Sequence, residues 1–355
     1  MTRILFRADL GAGIGLGHWV RSVSLAAAAR DMGAYCQLLA VGTSKSDVST
    51  HRVVARSGFD SEFLEQVALG GREDFERTLT MALRHASDVV VVDSYHANAQ
   101  YLEGLRAAGF VVGAIDDLAE GPFACHIVVN GGAQASELSY RSSSGDTTFL
   151  LGPRYALLRP EFWSLPHRVV TPTVKSILVT LGGGDLHNLM PKLIVSLRDL
   201  PEDVRIGAVL GPLITDRNEI ELAASTCRGH VSLVEAPDSL RDVMLGADLA
   251  IAAGGQTSYE LAAAGTPAVV IEVAENQAAS VKALARAGVV RLAGRAGDPN
   301  LVERVRVAVQ ELCRDGSARQ AMAFRGQTLV DGRGAPRVAE AVTANCPSFS
   351  RVAIA

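Results

Sequence analysis

The chain has 355 residues, 48% hydrophobic and 20% charged, with a formal net charge of −4. At roughly 150 residues per domain this length predicts about two domains, and the apolar content is enough to fill two cores. The near-neutral balance offers no basic surface to nucleic acid or anionic membrane. No apolar run reaches the ~18–20 residues of a membrane span.

"RILFRA" opens the chain as a strand, and Gly17 to Met32 reads as a helix. "YCQLLAV" is a strand, with helices expected over 47–57 and 73–86. "DVVVVD" reads as a buried strand, 98–108 as a helix, and "FVVGAID" and "HIVVN" as two more strands. Residues 141–174 break the alternation: they are Ser- and Gly-containing with prolines at 153, 160, 166 and 172, and 163–174 reads as an interdomain linker. Alternation resumes with "KSILVTLGGG", then "VRIGAVLG", "HVSLVEA", "ADLAIAAGG", "PAVVIEV" and "GVVRLAG" as strands. Helices are expected near 187–197, 216–226, 238–246, 256–264 and 276–287, and 299–344 reads as wholly helical. Continuous apolar strands alternating with helices predict parallel sheets covered on both faces. The expected fold is α/β, two doubly wound Rossmann-like domains facing a cleft. Their bounds are 1–165 for the first and 174–332 for the second, with a C-terminal helix and tail over 333–355.

Three glycine-rich turns follow strands. The first, "GAGIGLGHWVR", fails the G-x-G-x-x-G dinucleotide pattern in every register: the sixth position is Leu16, His18 or Val20. The second strand also lacks the terminal acidic residue of that pattern. What remains is a glycine loop at a helix N-terminus, where Gly15 and Gly17 bring backbone close to a ligand. His18 would sit in the first turn, whose dipole disfavours imidazolium and leaves a proton acceptor, or it merely packs. Arg21 lies on the same helix face as an anion contact or a surface residue. The second turn carries Gly182, Gly183 and Gly184, open to a diphosphate, followed by Asp185 as a candidate N-cap. The third places Gly254 and Gly255 before Gln256, Thr257 and Ser258 at a helix start, a cradle of N–H groups and hydroxyls suited to phosphate. Glu260, expected within the first helical turn, complements the dipole or accepts from ribose hydroxyls. Asn276 and Gln277 follow the next strand, as sugar contacts or helix-start residues.

No H-x-x-x-H spacing or D-x-D occurs, and five scattered cysteines form no C-x-x-C pair, so neither a metal site nor a cofactor is expected and a reduced cytoplasmic setting is. "MTRILFRADLG" is too short and charged to read as a signal peptide.

Several stretches together resemble the UDP-sugar hydrolases of pseudaminic acid biosynthesis and the related spore-coat polysaccharide proteins. They are "FRADLGAGIGLGHWVR", "VVVDSY", "IDDLA", "GPRYALLRPEF", "LGGGDLHNL", "AAGGQTSYELAAAGTPAVVIEVAENQ" and "VDGRGAPRVA", in order over almost the whole chain. The resemblance implies a glycosyltransferase-B fold and a UDP-linked amino-sugar substrate, such as a UDP-2,4-diacetamido-2,4,6-trideoxy-hexose. It implies His18 as the base that activates water, Tyr95 lining the sugar side, Asn276 and Gln277 near sugar and diphosphate, and Glu260 on the ribose. Gln256 and Tyr259 stand where that family commonly has Ser and Trp, and "HWVRSVSLA" also departs from it. The implied reaction is metal-independent, inverting cleavage of the C1–O bond, releasing UDP and free sugar. The alternatives on the same fold are an inverting UDP-sugar glycosyltransferase and a non-catalytic UDP-sugar-binding protein. The first half has no long apolar–basic loop of the kind that docks transferases with lipid acceptors on membranes, which favours a small soluble nucleophile.

Overall fold

The computed structural model describes all residues except 12, 13, 15, 44, 46, 47, 186, 215, 216, 228–230, 236–238 and 346–355. The chain divides into two compact units, Met1–Pro160 with the segment from Arg333 onward, and Glu161–Gly332.

The first unit runs β1 (Arg3–Asp9), α1 (Gly17–Asp31), β2 (Tyr35–Val41), α2 (Val48–Ala55), β3 (Asp60–Leu64), α3 (Arg72–Arg84), β4 (Val89–Asp93), α4 (Ala99–Ala107), β5 (Val111–Ile115), β6 (Pro122–Phe123), β7 (Ile127–Asn130), β8 (Arg141–Ser142) and β9 (Thr148–Leu151). The second runs β10 (Ser176–Thr180), α5 (Met190–Ser196), β11 (Arg205–Leu210), α6 (Asn218–Ser225), β12 (Val231–Glu235), α7 (Arg241–Gly246), β13 (Leu249–Ala253), α8 (Gln256–Ala264), β14 (Ala268–Glu272), α9 (Ala278–Arg286), β15 (Arg291–Arg295), α10 (Leu301–Arg314) and α11 (Gly316–Leu329). The chain then returns to the first unit as α12 (Gly334–Ala344).

The first sheet has the order β3-β2-β1-β4-β5-β7-β9 and the second β12-β11-β10-β13-β14-β15, with every pairing parallel. Both are doubly wound. Covering helices explain the strand composition: all five residues of β4, VVVVD, are buried, as are all five of β13 and β14. In α1 the run Ala26–Ala29 is at most 4% exposed, and α12 packs on this helix with Ala335, Val338, Ala339 and Val342 buried. In α10, Leu301, Val305, Ala308, Val309 and Leu312 are buried at helical spacing on one stripe, and all five belong to the core of the second unit.

Five expectations are corrected. β3, DSEFL, and β9, TFLL, are strands that the sequence pattern does not reveal; each lies at a sheet edge and is partly exposed, so neither carries a continuous apolar run. Residues 299–344 form three helices: Asp315 ends α10 and caps α11 by accepting from the Ala318 N–H at 2.8 Å, and the chain turns again before Gly334. The helix expected at 187–197 starts at Met190, because Asp185 accepts from the N–H groups of Leu189 (2.8 Å) and Met190 (2.7 Å). That expected at 276–287 starts as a 3-10 turn, Glu275–Gln277, before α9. The expected linker over 163–174 is docked on the second unit. Arg168 donates to the carbonyls of Leu245 and Ala247, Thr171 to Asp248 (2.7 Å), and Arg319 to the carbonyls of Thr171 (2.7 Å) and Pro172 (3.0 Å).

Candidate active site

In the first sheet the chain runs outward from β1 through β2 to β3 and then crosses to β4 on the other side of β1. The carboxyl ends of β1 and β4 therefore flank the point where strand order reverses, the place where open α/β sheets bind ligands. His18 is the second residue of α1 and stands there. Its Nδ1 lies 2.5 Å from Asp93 Oδ1, at the end of β4, and the Asp93 side chain is wholly buried. With the Nδ1 proton donated to that carboxylate, Nε2 is the basic nitrogen.

Arg21, one turn further along α1, donates from Nε to Asp93 Oδ2 (2.5 Å) and from Nη2 to Asp93 Oδ1 (2.7 Å). Its Nη1 donates to Asp117 Oδ2 at 2.5 Å, and the Tyr95 hydroxyl donates to the same oxygen at 2.5 Å. The Tyr95 ring meets the His18 ring edge-on, with centroids 4.6 Å apart. Burial pushes the Asp93 carboxyl up, but Arg21 and His18 outweigh it and hold the group below the usual carboxylate range. Burial likewise opposes the Arg21 charge, and Asp117 and Asp93 overcome it. The bidentate pair is what makes the site tenable, since an unpaired buried carboxylate costs several kcal/mol.

Asp116 builds the turn that presents Asp117. Its Oδ2 accepts from the N–H groups of Leu118 (2.9 Å) and Ala119 (2.7 Å) and from the Tyr140 hydroxyl (2.7 Å). Burial raises its carboxyl above the usual range despite those bonds. On the other face of the sheet, Arg7 pairs with Asp9 and Asp74, and Tyr101 donates to Asp74 at 3.0 Å, a second fully internal charge network beneath β1.

The second unit repeats the topology with different chemistry. Its strand order reverses between β10 and β13. The turn after β10 holds Gly182, whose φ of 80° favours glycine, and Gly183 and Gly184. The turn after β13 holds Gly254 and Gly255, and α8 starts at Gln256. A Cβ on Gly182 would lie 3.9 Å from Thr257 Oγ1, so the two turns adjoin. At Gly254 a Cβ would stand 2.2 Å from Val281 Cγ2, so any larger residue would have to displace the Val281 side chain. Gln277 Oε1 accepts from the Val273 N–H at 3.1 Å, and His187 Nε2 contacts the Val273 carbonyl at 2.9 Å. The loops after β10, β13 and β14 thus converge on one backbone-rich surface.

The residues singled out from sequence fall into two groups. His18, Arg21 and Tyr95 come together in the first unit, at the start of α1, with Gly17 exposed at its first position. Gly182, Gly183, Gly184, Gly254, Gly255, Gln256, Thr257 and Gln277 gather in the second, with Asn276 exposed on the 3-10 turn. Gly15 lies outside the described residues. Three local expectations change. Arg21 directs its guanidinium to two carboxylates of the protein, Asp93 and Asp117. Ser258 is wholly buried and its hydroxyl donates to the Gly255 carbonyl at 2.7 Å, back into the helix start. Glu260 is four residues beyond the start of α8, in the second turn rather than the first, and is 2% exposed. Asp93 and Asp117 were not singled out from sequence. The available signal was an acidic residue ending a four-valine strand next to the strand that feeds the histidine loop. Among the described residues, no group of three or more His, Cys, Asp or Glu side chains is arranged to hold a metal ion. No helix among them is long and apolar enough to cross a membrane.

Two doubly wound parallel sheets are the components of the glycosyltransferase-B fold. The comparisons with known proteins agree. Acinetobacter baumannii MurG superimposes with a TM-score of 0.67 at 15% identity, over 97% of this chain and 100% of that one. The spinosyn rhamnosyltransferase SpnG, solved with spinosyn aglycone, gives 0.64 at 15% identity over 96% and 100%. Phytolacca americana UGT2, solved with UDP-2-fluoro-glucose and pterostilbene, gives 0.63 at 12% identity over 97% and 99%. In sequence, the chain is 27% identical over 197 residues to the spore coat polysaccharide biosynthesis protein SpsG of Bacillus subtilis, covering 55% of this chain and 58% of that one. It is 24% identical over 279 residues to an uncharacterized protein of Methanocaldococcus jannaschii, covering 76% and 55%. The chain therefore spans a little over half the length of these relatives. No protein-family model matches it.

Proposed function

We propose that the protein is a nucleotide-sugar-dependent glycosyltransferase that displaces UDP from the anomeric carbon of a UDP-sugar, with His18 as general base. The observation that carries this reading is the His18–Asp93 pair at 2.5 Å, its carboxylate fully buried, at the strand-order reversal of the first sheet. The second unit holds the nucleotide. The N–H groups of the Gly182–Gly184 and Gly254–Gln256 turns face the diphosphate and stabilise the charge it gains on leaving, and Glu260 accepts from the ribose. The acceptor hydroxyl gives its proton to His18 Nε2 as its oxygen bonds to C1. The C1–O bond to the diphosphate breaks, and Asp93 stabilises the imidazolium formed. In-line displacement inverts C1. The fold likeness to MurG, to a rhamnosyltransferase and to a protein solved with UDP-2-fluoro-glucose and pterostilbene supports a transferase.

A second reading, hydrolysis of a UDP-linked amino-sugar, is favoured by one observation: the His18 side chain is only 7% exposed and lies against Tyr95, which suits a nucleophile as small as water. One experiment separates them. The protein is incubated with a panel of UDP-sugars with and without alcohol and sugar acceptors, and UDP and sugar products are followed. Glycoside formed only with acceptor supports transfer; free sugar at the same rate without acceptor supports hydrolysis. In ¹⁸O-labelled water, hydrolysis at C1 places the label in the sugar. Failure of every UDP-sugar to bind by calorimetry would remove both readings.

A further inference from the structure

The geometry points to Arg21 as a positioning residue: held between Asp93 and Asp117, it cancels the charge of Asp93 and so keeps His18 a neutral imidazole with its proton on Nδ1. Three observations carry this. First, all three guanidinium nitrogens are committed, Nε and Nη2 to the two oxygens of Asp93 and Nη1 to Asp117, at 2.5–2.7 Å. The strong charge-assisted bonds of this fork are thus made to carboxylates of the protein itself. Second, Nη2 lies 3.2 Å from His18 Nδ1, so the positive charge bears directly on the imidazole. Third, Asp93 is wholly buried while the Asp117 side chain is 21% exposed, so Arg21 links a carboxylate sealed behind the histidine to one that reaches solvent.

The electrostatic consequence has a definite sign. A buried carboxylate alone beside an imidazole would favour imidazolium, which cannot accept a proton. A guanidinium bound bidentately to that carboxylate removes most of this bias and repels a second positive charge on the ring. The charged and titratable groups facing the His18 ring among the described residues are Asp93 from β4, Arg21 from α1, Tyr95 from the loop after β4, and, through Arg21 and Tyr95, Asp117 from the loop after β5. Asp117 has the opposite influence to Arg21: it anchors the fork and adds a distant negative charge. Holding the His18 ring neutral is a property of the ligand-free protein. Its use in catalysis rests on the reaction proposed above.

The test is nitrogen-15 NMR of histidine-labelled full-length protein without ligand, with the His18 signal assigned by its loss in His18→Gln. The expected result is Nδ1 protonated and Nε2 unprotonated in the native protein. In Arg21→Gln the protonation midpoint of the ring should move up by about 1 pH unit, and in Asp117→Asn it should move down by a smaller amount. Arg21→Lys, which keeps the charge but not the fork, should restore most of the midpoint. If Arg21→Gln does not fold, the paired shifts in Asp117→Asn and Arg21→Lys carry the same test. An unchanged midpoint in Arg21→Gln, or shifts of the same sign in Arg21→Gln and Asp117→Asn, would overturn the proposal, because a purely structural role loosens both alike. In turnover, Arg21→Gln should move the acid limb of the rate profile upward by about the same 1 pH unit, lowering kcat by up to about tenfold on that limb with little change in KM. Absence of turnover with every nucleotide sugar would defeat the reaction proposed above and leave the NMR result standing.

Discussion

The two sheet ends share a plan and differ in chemistry. In each unit the candidate surface lies where strand order reverses, on the loops that follow the first strand, the strand across the reversal, and the strand after that. In the first unit those loops carry His18, Asp93, Tyr95 and Asp117, with Arg21 tying them together. In the second they carry Gly182, Gly254, Gly255, Thr257 and Gln277, while Asp185 and His187 of the same loops bond to backbone, Asp185 to the N–H groups of Leu189 and Met190 and His187 to the Val273 carbonyl. Fixed dipoles can hold an anion but cannot change protonation state; a buried His–Asp–Arg cluster can take up a proton but has already paired its charges. On the function proposed above, the same fold position serves proton transfer where the strand ends in Asp93 and anion binding where it runs into Gly254.

The largest expected effect tests the proton-transfer side. His18→Ala should lower turnover by about 10²–10⁴-fold, while UDP affinity measured by calorimetry stays within about twofold. Normal turnover would show that the first site does not move a proton.

Asp93→Asn comes next and tests whether charge pairing sustains that site. Leaving Arg21 against a neutral partner should lower stability at pH 7 by about 3–5 kcal/mol. Because the Asp93 carboxyl is held below its ordinary range, its contribution is present above about pH 4 and is lost as pH falls through the lower folded value. The Tm difference between wild type and variant should therefore narrow as pH is lowered from 7 to 3. A constant difference would mean that the network is held by packing rather than charge.

The second surface is probed by Glu260→Ala. Removing the proposed ribose acceptor should weaken UDP binding by about 1.5–3 kcal/mol, roughly ten- to hundredfold. Unchanged affinity in a variant with an unchanged thermal transition would assign Glu260, 2% exposed in α8, to packing alone. The smallest effect is expected from Gln277→Ala, which removes the acceptor of the Val273 N–H and should loosen the loop after β14. A loss of about 0.5–1.5 kcal/mol in nucleotide affinity, with turnover otherwise unchanged, would confine Gln277 to that role.

Much of this arrangement is legible before any coordinates. Strands buried on both faces, such as β4, β13 and β14, announce themselves as apolar runs, and glycine turns after them mark where backbone approaches a ligand. The edge strands β3 and β9 do not, because each pairs with one neighbour only and its partly exposed residues break the apolar run. The cap at Asp315 also escaped, because the helical spacing continues on both sides of it. Gly254 is legible as a glycine after a strand, but not as the position where Val281 leaves no room for a Cβ.

What the sequence by itself determined is local: the alternation of strand and helix, the three glycine turns, and the placing of His18 at a helix start. These follow from periodicity and backbone sterics over a few residues. The tertiary structure alone decided which distant groups share a site. Asp93 is 75 residues from His18 in the chain, and Asp117 is 96 from Arg21. Only the crossover that sets β4 beside β1 makes the first pair a hydrogen bond. It also turned Arg21 from a candidate anion contact into the centre of a closed ion network, since the charge a guanidinium presents depends on which carboxylates the fold has already brought to it.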